Sequence, residues 1–294
     1  MQYATLKNGD LAAVREGRYI PFGTALIESG ALPAGASMID FIARYSAIKD
    51  AALRTIESGT EIEAAPGLLD PPVRNPSKIW AAARNYPREV SGGGQGDAES
   101  RPEDVLEMAF LKPPSAVVGP DEAILLPPGV GQIFPEVELC IVIGSTVHRA
   151  SRERALEAVF GYTIILDVTA RQFGTGRELG TTRCVRKAFD TFAPLGPCIT
   201  TADEIPDPRT LGIQLWLNGE HRYSAGLDGM LNGVAELVSF FSQLTTLYPG
   251  DLIATGNPNP TGSLHQLSAG DELRASIEGI GELRMTVGSD GGES

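Results

Sequence analysis

The sequence predicts an α+β chain: a strand-rich mixed β fold over residues 73–294, preceded by a small N-terminal α+β domain over residues 1–72. Three observations lead there. From Phe110 onward, short apolar runs alternate with Gly/Pro turns, which is the pattern of strands. Only a few segments carry helical spacing. Pro66-Gly67 and Pro71-Pro72 punctuate the chain and set a domain boundary near residues 66–76.

The elements follow in order. Tyr3–Leu6 and Leu11–Val14 flank Lys7-Asn8-Gly9-Asp10, and Asn-Gly is a strong hairpin signal. Two helices are expected next, over Ser37–Tyr45 and Ile48–Glu57, the second closed by Ser58-Gly59. A strand over Lys78–Ala83 runs into Arg84-Asn85-Tyr86 and then a loop containing Gly92-Gly93-Gly94. Its backbone freedom fits either a lid over an active site or a plain surface loop. Strands are expected at Ala116–Val118, Ala123–Leu126, Glu138–Ile143, Tyr162–Leu166 and Ile213–Leu217. Between them Ser151–Phe160 reads as a helix with Ser151 as N-cap. Gly233–Leu247 reads as another, its Val234, Leu237, Val238, Phe241 and Leu244 forming a core-facing stripe. Asp271–Ile277 and Gly281–Val287 alternate polar and apolar around Glu278-Gly279-Ile280, a terminal hairpin.

Composition narrows the function. Hydrophobic residues make up 42% and charged residues 21%, enough for a sizeable core. The formal net charge of −13 argues against nucleic acid or an anionic membrane as partner, since both demand basic patches. No apolar run approaches the roughly 18 residues of a membrane helix, and the polar start Met1–Asp10 is not a secretory signal. Cys140, Cys184 and Cys198 are isolated, as in a reduced, cytoplasmic protein. Cys184 sits in a more polar stretch than the others, which leaves a reactive thiol open there.

Glu136-Val137-Glu138, leading into the apolar Leu139–Gly144, is the sharpest chemical signal. Side chains alternate along a strand, so the two acids share a face. Like charges there repel and resist burial, which a bound cation relieves. Asp167 ends the strand Gly161–Leu166 and supplies a third carboxylate. An all-oxygen set suits Mg²⁺, Mn²⁺ or Ca²⁺ rather than zinc. Taken alone, the pair also fits two acids on the solvent face of an edge strand. Other chemistries are not signalled: GxSxG, HExxH and the phosphate loop GxxxxGK[ST] are missing, and Gly174–Gly180 only superficially resembles a dinucleotide loop. His148, His221 and His265 are far apart and read as surface or turn residues.

The surroundings sharpen the reading. Phe110-Leu111-Lys112-Pro113-Pro114-Ser115, Asp167-Val168-Thr169-Ala170-Arg171, Arg186–Pro197, Asn218-Gly219-Glu220 and Pro249–Pro258 follow one another in an order that resembles the fumarylacetoacetate hydrolase family, over roughly residues 78–288. The resemblance implies a mixed β-roll core, usually assembled as a homodimer. It implies Mg²⁺ or Mn²⁺ held by Glu136, Glu138 and Asp167, and a small anionic 2-oxo acid as substrate. Lys187 matches a lysine beside the metal, where its ammonium could neutralise an oxyanion; it could equally pair with the surplus carboxylates. Arg171 matches an arginine near the substrate carboxylate, although a surface arginine after a strand is also compatible. Tyr86 and Asn257 occupy further substrate-binding positions.

The departures are specific. The family's lid pattern Asn-Tyr-x-x-His, with a Glu three residues later, reads here Asn85-Tyr86-Pro87-Arg88-Glu89, with Gly92 in place of that Glu. Glu89 is therefore the candidate replacement base. Gly174 stands where Gln is frequent, and Gly256-Asn257-Pro258 replaces Gly-Thr-Pro. The reaction these residues imply is metal-dependent hydrolysis of a C–C bond in a 2,4-dioxo acid, of acylpyruvate or diketo-deoxy sugar acid type. The alternatives are a lyase (dehydratase or decarboxylase) or isomerase working through a metal-bound enolate, and a catalytically silent binding homologue.

Overall fold

The structure, a computed structural model, describes residues 1–87, 102–173, 177–178, 183–258 and 265–291. Among these residues the strands form sheets of 11, 5 and 3 strands, with few helices, as the strand-rich expectation requires. The main path of the large sheet runs Arg18–Pro21, Leu11–Arg15, Gln2–Leu6, Ala193–Thr201, Val159–Leu166, Val137–Ile143, Leu252–Ala254, Ile79–Ala81, Phe110–Lys112. Most neighbours are antiparallel, but Leu252–Ala254 runs parallel to Ile79–Ala81, so the sheet is mixed.

All seven residues of Val137–Ile143 are buried, which explains their continuous apolar run: this strand is covered on both faces. Val137, Leu139, Ile141 and Ile143 pack with Leu215, Leu273 and Leu283 of the five-stranded sheet. Cys140 and Val142 face the other way, into a core shared with Phe41 and Ile165.

That second core is closed by the N-terminal segment. Its hairpin joins the large sheet directly, Gln2 pairing with Thr200 and Tyr3 with Ile199. The helix Met38–Ser58 then lays Met38, Phe41, Ile42, Ile48, Ala52 and Ile56 onto the sheet. Ser37 and Asp40 cap its start reciprocally. Phe41 meets Tyr3 edge-on with ring centroids 4.9 Å apart, and Tyr45 meets Phe160 at 5.0 Å. Such pairs add about 0.5–1.5 kcal/mol each beyond burial. One helix replaces the two expected because Ser46-Ala47 contains no breaker and the buried stripe continues through it.

Two other helices are shorter than their spacing predicts. Arg152–Glu157 stops at Ala158 because Val159 and Phe160 enter the strand Val159–Leu166. Val234–Leu244 stops where the β-branched Thr245 turns extended.

Candidate metal and substrate site

The strand register brings the acids together. Val137 pairs with Leu166 and Glu138 with Ile165 across an antiparallel ladder, so the start of one strand lies beside the end of the other. Asp167 follows immediately, and its backbone N–H donates to the Glu136 carbonyl at 2.8 Å. One carboxylate oxygen from each of Glu136, Glu138 and Asp167 lies within 4.8 Å of the others. Oxygens sharing an octahedral ion of this class sit about 3–4 Å apart, given metal–oxygen distances near ~2.1 Å.

A tight turn completes this wall. Gly256 N–H donates to Glu138 Oε2 at 2.7 Å. Gly256 has φ +94° and a Cβ there would lie 3.1 Å from Asn85 Cβ, so the close approach needs glycine. Thr255 N–H and Oγ1 both donate to the Leu139 carbonyl at 3.0 Å. Asn85 Nδ2 donates to the carbonyls of Thr255 and Asn232, each at 2.9 Å.

Two lysines face the acids. Lys187, at the end of the helix Arg183–Lys187, donates to Glu136 Oε2 at 2.7 Å and Asp167 Oδ2 at 2.5 Å. Lys112, fully buried, lies 2.8 Å from Asp167 Oδ1 and donates to the Lys187 carbonyl at 2.9 Å. It thus holds both the acid and the backbone of the neighbouring lysine.

The charges are strongly coupled. Burial pushes Lys187 down, but Asp167 and Glu136 outweigh it and hold the ammonium above its ordinary value. Burial likewise raises Asp167, but Lys112 and Lys187 reverse that and keep it ionised. Among the described residues no lysine or arginine forms an ion pair with Glu138; burial first, then the Asp167 charge, push its carboxyl well up. Lys112 is lowered, chiefly by burial.

The donor set fits a divalent ion. Three carboxylates against two ammonium groups leave an excess of negative charge, and Glu138 is the group left unbalanced. Among the described residues Asp167 Oδ1 accepts no well-aligned hydrogen bond, although the Lys112 ammonium lies 2.8 Å away. A hard cation such as Mg²⁺ or Mn²⁺ meets both needs.

Tyr86, Asn257 and Arg171 each pack in a defined setting. Tyr86 is buried, and its phenol is raised by burial with the Glu138 charge adding to it. Asn257 follows the Gly256 turn and accepts from Tyr223. Arg171, on the strand Thr169–Phe173, sets its guanidinium over Phe134, 5.2 Å from the ring centroid. Glu89, Gly92 and Gly174 lie outside the described residues.

Sequence reading alone missed Lys112 and Tyr223. Lys112 was visible within Phe110–Ser115, but a lysine between a strand and two prolines carries no mark of burial. The only available signal was the parity of Phe110-Leu111-Lys112, which sets Lys112 on the same face as the buried Phe110.

Residues 78–288 match the family described as Fumarylacetoacetate (FAA) hydrolase C-terminal. The chain is 38% identical over 252 residues to maleylpyruvate hydrolase of Aquipseudomonas alcaligenes, covering 82% of this chain and 84% of that protein. It is 36% identical over 216 residues to oxaloacetate tautomerase FAHD2A, mitochondrial, of Bos taurus, covering 72% of this chain and 67% of the relative. Among solved structures, maleylpyruvate hydrolase from Sphingobium sp. SYK-6, in complex with manganese(II) and pyruvate, superposes with a TM-score of 0.80 at 32% identity, covering 98% of this chain and 99% of that one. Among the described residues, no helix is long and apolar enough to cross a membrane.

Proposed function

The chain belongs to the fumarylacetoacetate hydrolase family, and on that premise we propose that it hydrolyses a C–C bond in a 2,4-dioxo acid with the help of Mg²⁺ or Mn²⁺. The observation that carries this reading is the cluster of Glu136, Glu138 and Asp167 with the Lys187 ammonium against two of them. Likeness to maleylpyruvate hydrolase over nearly the whole chain, N-terminal segment included, favours hydrolysis.

The roles follow from the chemistry of each side chain. Glu136, Glu138 and Asp167 would hold the metal, which when bound supplies Lewis acidity to the carboxylate and keto oxygens of a 2-oxo acid. Arg171 suits the substrate carboxylate through paired N–H donors. Tyr86 and Asn257 line the remainder. Glu89, in the position of the family's lid histidine, takes a proton from water. The water oxygen adds to the C4 carbonyl, and Lys187 faces the negative charge that develops. The C3–C4 bond then breaks, its electron pair passing to C3 as a pyruvate enolate, which a proton quenches. Water and dioxo acid thus become pyruvate and a second carboxylic acid. The proposed assembly is a homodimer and the proposed setting the cytoplasm.

One observation favours a second reading. Glu89 and Gly92 replace the His and Glu of the water-activating pattern, and enol–keto tautomerisation of a 2-oxo acid needs no water. Proton NMR with Mg²⁺ or Mn²⁺ and a panel of 2-oxo acids separates the two. Pyruvate plus a second acid establishes hydrolysis; exchange of C3 protons with the carbon chain intact establishes tautomerisation. Under the first reading, Glu89→Gln lowers turnover by about 10²–10⁴ and leaves Mn²⁺ affinity unchanged. Unchanged turnover removes Glu89 from the mechanism.

A further inference from the structure

Asn85 follows the strand Ile79–Ala81 and is buried, 1% exposed. Its oxygen and both of its N–H donors are engaged. Oδ1 accepts the Asn232 backbone N–H at 2.8 Å, and Nδ2 donates to the Asn232 and Thr255 carbonyls at 2.9 Å each. These partners fix which end of the amide is which, since a backbone N–H only donates and a carbonyl only accepts. An ionised aspartate in this place has no donor to give.

The Thr255 carbonyl matters because of what shares its peptide. The Thr255–Gly256 bond is trans, so its C=O and N–H lie in one plane and point in opposite directions. Asn85 takes the carbonyl end, and the N–H end meets Glu138 Oε2 at 2.7 Å. The Thr255 N–H, donating to the Leu139 carbonyl at 3.0 Å, fixes the chain just before this peptide but leaves the plane free to turn. Gly256, at φ +94°, has no Cβ to resist such a turn. The bond from Asn85 therefore sets the plane from the side away from the acids. Glu138 is buried beside Asp167, and the Gly256 N–H is one of the groups that favour its charged form.

We propose that Asn85 is a positioning residue: by holding the Thr255 carbonyl it fixes the peptide plane whose N–H aims the Glu138 carboxylate, so that Glu138 presents one set oxygen to the metal. This rests on the reading of the acid cluster as a divalent-metal site. A carboxylate held at one oxygen keeps its direction, whereas a released one can pivot and offer both oxygens to a single ion. Ca²⁺ accepts bidentate carboxylates and about six to eight oxygens in flexible geometry, while Mg²⁺ and Mn²⁺ favour an octahedron.

The test is calorimetry of the full chain with Mn²⁺ and with Ca²⁺. Asn85→Ala should weaken Mn²⁺ binding at least about ten-fold, the worth of one hydrogen bond to a charged group. Ca²⁺ binding should weaken less, so the ratio of Mn²⁺ to Ca²⁺ affinity falls. A merely structural Asn85 would weaken both ions in proportion, and that result overturns the proposal. Asn232→Ala removes the Nδ2 bond to the Pro102 carbonyl, 2.8 Å, at the same junction and leaves the Thr255–Gly256 peptide alone. Its affinity ratio should stay at the wild-type value; a fall as large as that in Asn85→Ala overturns the assignment to this peptide. A second measurement leaves Asn85 in place and so does not depend on its variant folding. In metal-free Glu138→Ala the residual dipolar coupling of the Gly256 N–H should match the wild type, because Asn85 still holds the plane. A reoriented peptide shows that Glu138 sets the plane and overturns the proposal. A wild-type protein that binds neither ion overturns the metal reading of the acids, while the dipolar coupling still decides whether Asn85 holds the plane.

Discussion

Asp167 donates its backbone N–H to the Glu136 carbonyl at 2.8 Å, across the junction where two antiparallel strands begin and end. That bond locks the relative position of two of the three acids before any cation arrives. A one-residue slip would carry Glu138 to the opposite face, so the ladder register is itself part of the metal site.

The first prediction concerns that cation. Mn²⁺ should raise the melting temperature of the wild-type protein, since a ligand at one hundred times its Kd stabilises by about 2.7 kcal/mol. Glu138→Ala should abolish the shift and the Mn²⁺ binding isotherm together. EDTA should abolish turnover. Activity that survives EDTA removes the metal from the mechanism.

Lys112 gives the second. It is fully buried, 2.8 Å from Asp167 Oδ1, and holds the Lys187 carbonyl. Lys112→Met should destabilise the metal-free protein by about 3–5 kcal/mol, because a buried ion pair loses one partner. Urea unfolding measures this directly. Saturating Mn²⁺ should recover part of the loss by restoring positive charge beside Asp167, which Lys187 alone then faces; a loss unaffected by Mn²⁺ would place Lys112 outside the metal network.

The acids and the lysines differ in how far the sequence exposes them. Glu136-Val137-Glu138 is legible because pleat parity puts two like charges on one face ahead of an apolar run, a repulsion that a cation relieves. Asp167 is legible as the polar end of a buried strand. Lys187 enters only through family resemblance, since nothing local shows that Arg183–Lys187 folds back onto the acids. The Tyr223–Asn257 contact spans 34 residues and depends on the bulge at Arg222, which no periodicity announces. Sequence windows weigh each apolar cluster separately and so divide Met38–Ser58 in two, whereas its buried face runs on from Phe41 and Ile42 through Ile48, Ala52 and Ile56.

The third prediction is a pH dependence remote from the active site. Asp70 and Glu122 accept from Lys7 and Arg74, joining the N-terminal segment to the sheet region. Partial burial raises both carboxyls, but the two cations outweigh it and leave them below their ordinary 3.8 and 4.5. Depressed folded values mean stability that is fully present above about pH 4.5 and is lost as pH falls through the folded values. With Lys7 and Arg74 43% and 42% exposed, screening limits the whole cluster to about 1 kcal/mol. Urea unfolding at pH 7 and at pH 3 should show a smaller drop in Glu122→Gln than in wild type; equal drops would exclude this cluster.

The last prediction separates catalysis from metal binding. Lys187 occupies Glu136 Oε2 and Asp167 Oδ2, two of the same carboxylates that a cation needs. An ammonium and a divalent ion compete for those oxygens, so removing the ammonium should not weaken metal binding. Lys187→Met should therefore leave Mn²⁺ affinity equal to or tighter than wild type in calorimetry. The same variant loses the positive charge that faces the developing oxyanion, and turnover of the substrate identified by NMR should fall by about 10²–10³. An effect confined to the transition state lowers kcat and kcat/KM in proportion. If Mn²⁺ affinity and turnover instead fall together, Lys187 is a scaffold for the acids and not the group that meets the oxyanion.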